Sequence, residues 1–236
     1  MMRRVRWPLW IAGVFVLALL ALFPLRPALQ IAGAERSGLA ARAVAGTVWN
    51  GAMGDVRLRH LRLGDFSVSL NPLALLTGSA NLHLTRFKDS DGPLTGVLRS
   101  GRHTGGVAHL KGRVAAAGLF GQVPLDALEF SDTTILFRDG HCARAEGTMT
   151  AMLGQALGAL DLSPDMRGQW RCDGDRARIV LSAGAGQQVD FLLAASGRYQ
   201  IEMRIASRSG EQQVALGLFG FHPRDGAMVL TTNGQL

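Results

Sequence analysis

Tyr199-Gln200-Ile201-Glu202-Met203-Arg204-Ile205 alternates apolar and polar side chains without interruption. Successive side chains of a strand point to opposite faces, so a period of two marks a strand with one face buried and the other in water; a helix would repeat at three and four. Phe66, Val68 and Leu70 alternate in the same way with Ser67 and Ser69. From Leu39 onward, weaker versions run through Val56 to Leu63, Leu82 to Phe87, Val107 to Val114, Thr133 to Phe137, Ile179 to Leu181, Val189 to Leu193, Val214 to Leu218 and Met228 to Leu230. Glycines punctuate these runs at Gly51, Gly54, Gly64, Gly78, Gly92, Gly105-Gly106, Gly140, Gly174, Gly184, Gly197, Gly210 and Gly226. Short strands separated by such breaks form an antiparallel meander, so the body of the chain is expected to be all-β.

At most one or two short helices compete with this pattern. Asn71-Pro72-Leu73-Ala74-Leu75-Leu76 offers a cap and a proline at the first helical position, and Gly78 stops it after about one turn. Ala151 to Leu160 places Met152, Ala156, Leu157 and Leu160 near one helical face. Gly154 and Gly158 weaken that helix by about 1 kcal/mol each relative to alanine.

Ahead of the strands lies Trp7 to Leu25, WPLWIAGVFVLALLALFPL, 19 uncharged positions between Arg6 and Arg26. As helix at about 1.5 Å per residue it reaches roughly 28 Å, enough to cross a hydrocarbon core once. Arg3, Arg4 and Arg6 precede it and only Arg26 follows closely, so the positive-inside bias puts the N-terminus in the cytoplasm and the strands on the far side. Trp7 and Trp10 stand where a membrane-interface belt would place them, while Trp49 and Trp170 read as core anchors. A cleaved signal would use Ala32-Gly33-Ala34, but Pro24, Arg26 and Pro27 separate that site from the apolar core. A buried helix is the remaining alternative, and the stretch has no polar face for it. The expected organisation is a cytoplasmic tail 1–6, a transmembrane anchor 7–25, a juxtamembrane linker 26–44 and a β domain 45–236.

The net charge of +7 is uneven. Residues 1–88 carry 11 basic and 3 acidic side chains, and residues 89–236 carry 14 and 15, so the excess sits beside the membrane, where an anionic surface attracts it. Nucleic acid is not needed to explain it. The basic run Arg99 to Arg113 lacks aromatic stacking platforms and reads as a hairpin with a solvated face. Cys142 and Cys172 are the only cysteines. An even count in an oxidising compartment points to one disulfide closing a loop of about 30 residues, with two buried free thiols as the alternative.

Catalytic patterns are absent from the sequence. No serine has glycines at both positions two away, no phosphate-binding Gly-x4-Gly-Lys-Ser/Thr occurs, and no Gly-x-Gly-x-x-Gly opens a helix. Asp161, Asp165, Asp173 and Asp175 cluster among turn formers and read as a solvated loop, a calcium or acid/base site being the alternative. His60, His83, His103, His109, His141 and His222 show no metal-ligand spacing. No catalytic residue, metal or cofactor is expected.

Ala45-Gly46-Thr47-Val48-Trp49-Asn50-Gly51 resembles the Gly-Thr-Val/Ile-Trp-x-Gly motif of the type II secretion system protein N (general secretion pathway protein N) family. Further likenesses follow in order: Phe66 to Gly78, Cys142 with Gly168-Gln169-Trp170-Arg171-Cys172, Gly197-Arg198-Tyr199, and Leu216-Gly217-Leu218-Phe219-Gly220. Phe66 stands where the family pattern has tryptophan, and Trp170 where it has an aliphatic residue. Within the motif, Gly46 and Gly51 are expected to flank a strand made by Thr47 and Val48, with Trp49 burying its ring in a purely structural role. The resemblance implies a single-pass inner-membrane protein with a periplasmic domain, an accessory part of the machine that exports folded proteins across the outer membrane. Its implied partners are other subunits of that machine and inner-membrane lipids. The family is also similar to membrane-anchored AsmA-type proteins, in which a curved sheet forms an apolar half-pipe. That likeness implies an alternative, a lipid-binding module whose ligand lies in the groove.

Overall fold

The computed structural model describes residues 10–11, 13–15, 18, 21–31, 39–58, 61–88, 92–121, 123–154, 162–184, 186–207 and 209–235. Among the described residues, fourteen strands form one antiparallel sheet: β1 (Leu39–Gly46), β2 (Gly51–Leu58), β3 (Leu61–Leu70), β4 (Ser79–Lys88), β5 (Leu94–Gly101), β6 (Thr104–Ala115), β7 (Leu125–Arg138), β8 (His141–Leu153), β9 (Asp165–Asp173), β10 (Arg176–Ala183), β11 (Gln187–Leu193), β12 (Arg198–Ile205), β13 (His222–Arg224) and β14 (Ala227–Gln235). Each strand through β12 pairs with its neighbour in sequence, and only the last two exchange places, giving β12-β14-β13. The sheet is open, with β1 at one edge and β13 at the other.

The alternation over Tyr199 to Ile205 decides which face is buried. Ile201, Met203 and Ile205 of β12 are buried, as are Val189 and Phe191 of β11, Ala177, Ile179 and Leu181 of β10, and Met166 and Trp170 of β9. Arg178, Asp190, Glu202 and Arg204 occupy the outer face of β10–β12. There Arg178 donates to Asp190 at 2.9 Å and to Asp173 at 3.0 Å.

The sheet curls, and the loop between β6 and β7 fills the curl. Phe120 meets Phe191 and Tyr199 edge-on, with ring centroids 5.6 and 5.2 Å away, although β11 and β12 lie several strands beyond β6. Ala116, Phe120 and Val123 from this loop share one buried cluster with residues of β7–β12, Leu216, Phe221 and β14. A second cluster unites Leu25, Val48, Met53, Val56, Phe66, Val68 and Leu94 under the first strands.

Bulges supply part of the bend. Register shifts fall between Thr95 and Val97, Val107 and Leu110, and Ser131 and Thr134, on neighbouring strands. Each bulge adds a residue to one strand of a pair, which bends that strand and increases its twist. His109 and Asp132 occupy left-handed backbone (φ 53° for both) within these irregularities. Gly147, at φ 94°, lies against the Asp132 carbonyl; a Cβ there would sit 2.5 Å from that oxygen, so no other residue fits without moving the strand.

Three expectations from periodicity are corrected. Val56 to Leu63 is not one strand, because β2 ends at Leu58 and β3 begins at Leu61. Gly54, Gly64, Gly105 and Gly106 lie inside strands instead of separating them. Val214 to Leu218, expected as a strand, is the end of a helix over Gly210–Leu218. Ser209 caps that helix by accepting from the Gln212 N–H at 3.2 Å, and Glu211 lies in its first turn. Of the alternating Val214, Leu216 and Leu218, only Leu216 is buried, so the five-residue alternation reflected chance spacing. The short helix at Pro72–Leu76 forms as expected, with Asn71 Oδ1 accepting from the Leu73 N–H at 3.0 Å. From Ala151 to Leu153 the chain is strand, and residues 155–160 of the expected second helix lie outside the described residues. The segment expected as an aspartate-rich loop is largely β9, leaving Asp173 and Asp175 at its turn into β10; Asp161 lies outside the described residues.

Arg86 falls within the strand expected over Leu82 to Phe87. It shares a strand face with Leu82 and Leu84, and the structure buries it with its guanidinium donating to the carbonyls of Gly92 (2.8 Å), Leu63 (3.3 Å) and Arg113. Three backbone segments are thus fastened by one side chain. Arg86→Met, which keeps the stem but removes the donors, is expected to cost about 1–3 kcal/mol in urea unfolding.

The N-terminal segment is described in part. Trp10, Ile11, Gly13, Val14, Phe15, Ala18 and Ala21 are helical, while Arg3, Arg4, Arg6 and Trp7 lie outside the described residues. Among the described residues no helix is long and apolar enough to cross a membrane. The chain turns at Leu22, Pro24 makes an isolated bridge with Thr47, and a new helix, α1, runs over Leu25–Ile31. Leu25, the last residue of the apolar stretch, is only 2% exposed and belongs to the core beneath the first strands. The sheet also starts within the expected linker, since β1 begins at Leu39.

Candidate interaction surface

The motif residues Gly46 to Gly51 form the turn between β1 and β2, where a strand was expected at Thr47 and Val48. The turn closes on itself: the Thr47 N–H donates to the Asn50 carbonyl at 3.1 Å and the Asn50 N–H to Thr47 Oγ1 at 3.3 Å. It then receives the incoming chain. The Val48 N–H donates to the Phe23 carbonyl at 3.0 Å, and the Val48 carbonyl accepts from the Leu70 N–H at 2.9 Å. Gly51 leaves room for this docking, because a Cβ there would lie 2.6 Å from Leu25 Cδ2 and 2.8 Å from the Thr47 carbonyl. Val48 is buried and Trp49 half-buried. Trp10 and Arg26 are exposed, and Arg26 stands in the first turn of α1.

Cys142 and Cys172 are joined in a disulfide with Cα atoms 5.6 Å apart, the separation typical of such bonds. They lie on β8 and β9 beyond the last paired residues of that ladder, Thr148 and Gln169. A covalent link therefore holds the two strands where the hydrogen-bonded register has ended. The same end of the sheet carries the turns around His103, Asp139 and Ala194 to Gly197, which line one depression. Curling brings those three turns together.

Among the described residues no three His, Cys, Asp or Glu side chains converge to hold a metal. Histidines appear as partners in surface pairs: His103 Nδ1 lies 2.7 Å from Asp139, and His109 Nδ1 3.0 Å from Asp132, whose other oxygen is 3.5 Å from Lys111 Nζ. The hydrogen bond from His109, aided by the Lys111 charge, holds the Asp132 carboxyl below the usual carboxylate range. A carboxyl with a depressed folded pKa stabilises the protein above its unfolded value, about 3.9, and loses that contribution as pH falls through the folded value. Asp132→Asn is accordingly expected to be less stable than the parent at pH 7, with the two thermal midpoints converging below about pH 4.

Residues 37–231 match the family model for Type II secretion system (T2SS), protein N. The chain belongs to the type II secretion system protein N family. The matched segment runs from just before β1 into β14 and so spans nearly the whole sheet. Searches of curated proteins and of solved structures return no match. Membership assigns the chain to type II secretion as an accessory component. Within that family framework the motif turn is the place where this protein's N-terminal segment is fastened to its sheet.

Proposed function

We propose that this protein is a non-enzymatic, single-pass inner-membrane component of the type II secretion machinery. Its β domain stands in the periplasm and contacts other subunits during export of folded proteins. The observation that carries this reading is the family match across nearly the whole sheet. The apolar stretch Trp7–Leu25, with arginines concentrated before it, supports the anchor and its orientation. Export of the domain accords with the disulfide, since such bonds persist in oxidising compartments.

An interaction role is favoured over a lipid groove by the filled curl. Phe120, Val123, Leu216 and Phe221 occupy the concave side of the C-terminal strands, where an acyl chain would otherwise lie. Deletion of the gene in its native host is expected to leave folded cargo in the periplasm, with complementation restoring export. Unchanged secretion of every type II substrate would overturn the proposal. Site-specific crosslinking from the domain in intact cells then identifies the subunit it touches.

A further inference from the structure

The short helix Pro72–Leu76, called α2 here, carries two large apolar side chains into solvent. Leu73 is 70% and Leu75 42% exposed, on either side of Ala74, which is buried against the sheet. The segment Asn71 to Gly78 has no charged residue. An exposed apolar turn has a cost in water, and its position indicates what covers it.

Two hydrogen bonds connect α2 to the point where the chain leaves its apolar stretch. Phe23 accepts from Val48, Val48 accepts from Leu70, and the next residue, Asn71, caps α2. Neighbouring hydrogen-bonded strands lie about 4.8 Å apart, so α2 starts roughly 10 Å from Phe23. The polar layer of a bilayer is about 5–8 Å thick on each side of the hydrocarbon. That separation is measured across the strands, and the Gly46–Gly51 turn and α2 lie at the same end of the sheet, so α2 stands beside the exit of the anchor, where that layer begins.

We propose that α2 is a second membrane contact, with Leu73 and Leu75 seated in the interfacial layer of the bilayer that holds the anchor. This inference rests on the anchored reading of Trp7–Leu25. Two contacts on different segments would restrict the tilt of the sheet, whereas a single helix leaves the domain free to swing. The bilayer is thus a fixed reference for the surfaces the domain offers its partners.

Exposure alone would favour a different site. Leu218, at the end of the Gly210–Leu218 helix, is 86% exposed. That helix follows Ile205, at the opposite end of the strands: α2 shares its end with the turn at Gly101 and Thr104, whereas Ile205 pairs with Gln187 at the far end. Position and exposure therefore predict opposite results.

The test uses the full chain in lipid nanodiscs with its disulfide oxidised, so that thiol labelling reports only an introduced cysteine. Val14→Cys, Leu73→Cys and Leu218→Cys are each labelled with a small environment-sensitive fluorophore, and doxyl-lipids serve as quenchers. The expected result is loss of emission at Val14 with deep doxyl groups, loss at Leu73 with shallow ones, and none at Leu218. Quenching at Val14 without quenching at Leu73 overturns this inference and leaves the anchor standing. Absence of quenching at Val14 overturns the anchored reading and the inference with it. Equal quenching at Leu73 and Leu218 also overturns the inference, because the domain would then meet lipid through exposure and not through position.

Discussion

Phe120→Ala is expected to destabilise the domain by about 3–5 kcal/mol, the range for truncating a buried phenylalanine. Phe120 is 4% exposed although it belongs to a connecting loop, and it touches the rings of both Phe191 and Tyr199. Its removal takes away transfer free energy and leaves a cavity between the loop and β11–β12. For a domain of this size each kcal/mol shifts the thermal midpoint by about 2–4 °C, so a fall on the order of 10 °C is expected in a calorimetric or circular-dichroism scan. A loss below about 1 kcal/mol would mean that the loop does not seal the curl. The concave face would then be open, and the lipid-groove alternative would regain its basis.

Replacing Cys142 and Cys172 together by serine is the second large effect. Their bond closes a loop with a sequence separation of 30, and releasing it restores chain entropy to the unfolded state worth about 3–4 kcal/mol. The bond also lies beyond the β8–β9 ladder, so its loss leaves these two strand ends unlinked to each other and held only by their outer neighbours, β7 and β10. Two measurements follow: a lower urea midpoint for the double variant, and faster hydrogen exchange concentrated in residues 141–147 and 170–173. Equal stability of the oxidised parent and the double variant would show that the neighbouring strands hold these ends without the bridge.

These two predictions come from different sources of information. The disulfide was legible as a pairing from cysteine count and compartment, because two exported cysteines have only each other to bond within the chain. Its place at the end of a ladder was not legible. Phe120 carried no signal at all: it sits in a Gly-rich connection, Gly118-Leu119-Phe120-Gly121, with no periodicity to assign it a face. Arg86 was readable in principle, since period two places it on the apolar face with Leu82 and Leu84, but its three carbonyl acceptors come from segments distant in sequence. The motif Gly46 to Gly51 was recognised by resemblance and read as a strand. Its backbone instead turns to receive Phe23 to Leu25, a contact that local propensity does not encode.

By itself the sequence determined the antiparallel all-β body, the inward face of its clearest strands, the short capped helix at Pro72 and the resemblance to the secretion family. Each of these follows from local alternation, capping or motif, which act over a few residues. Tertiary structure alone decided that a loop fills the curl of the sheet, that Val214 to Leu218 is helix, and that Leu25 belongs to the domain core. Burial in a curled sheet depends on which strands meet across the curl, and that is set by bulges and loop packing summed over the whole chain.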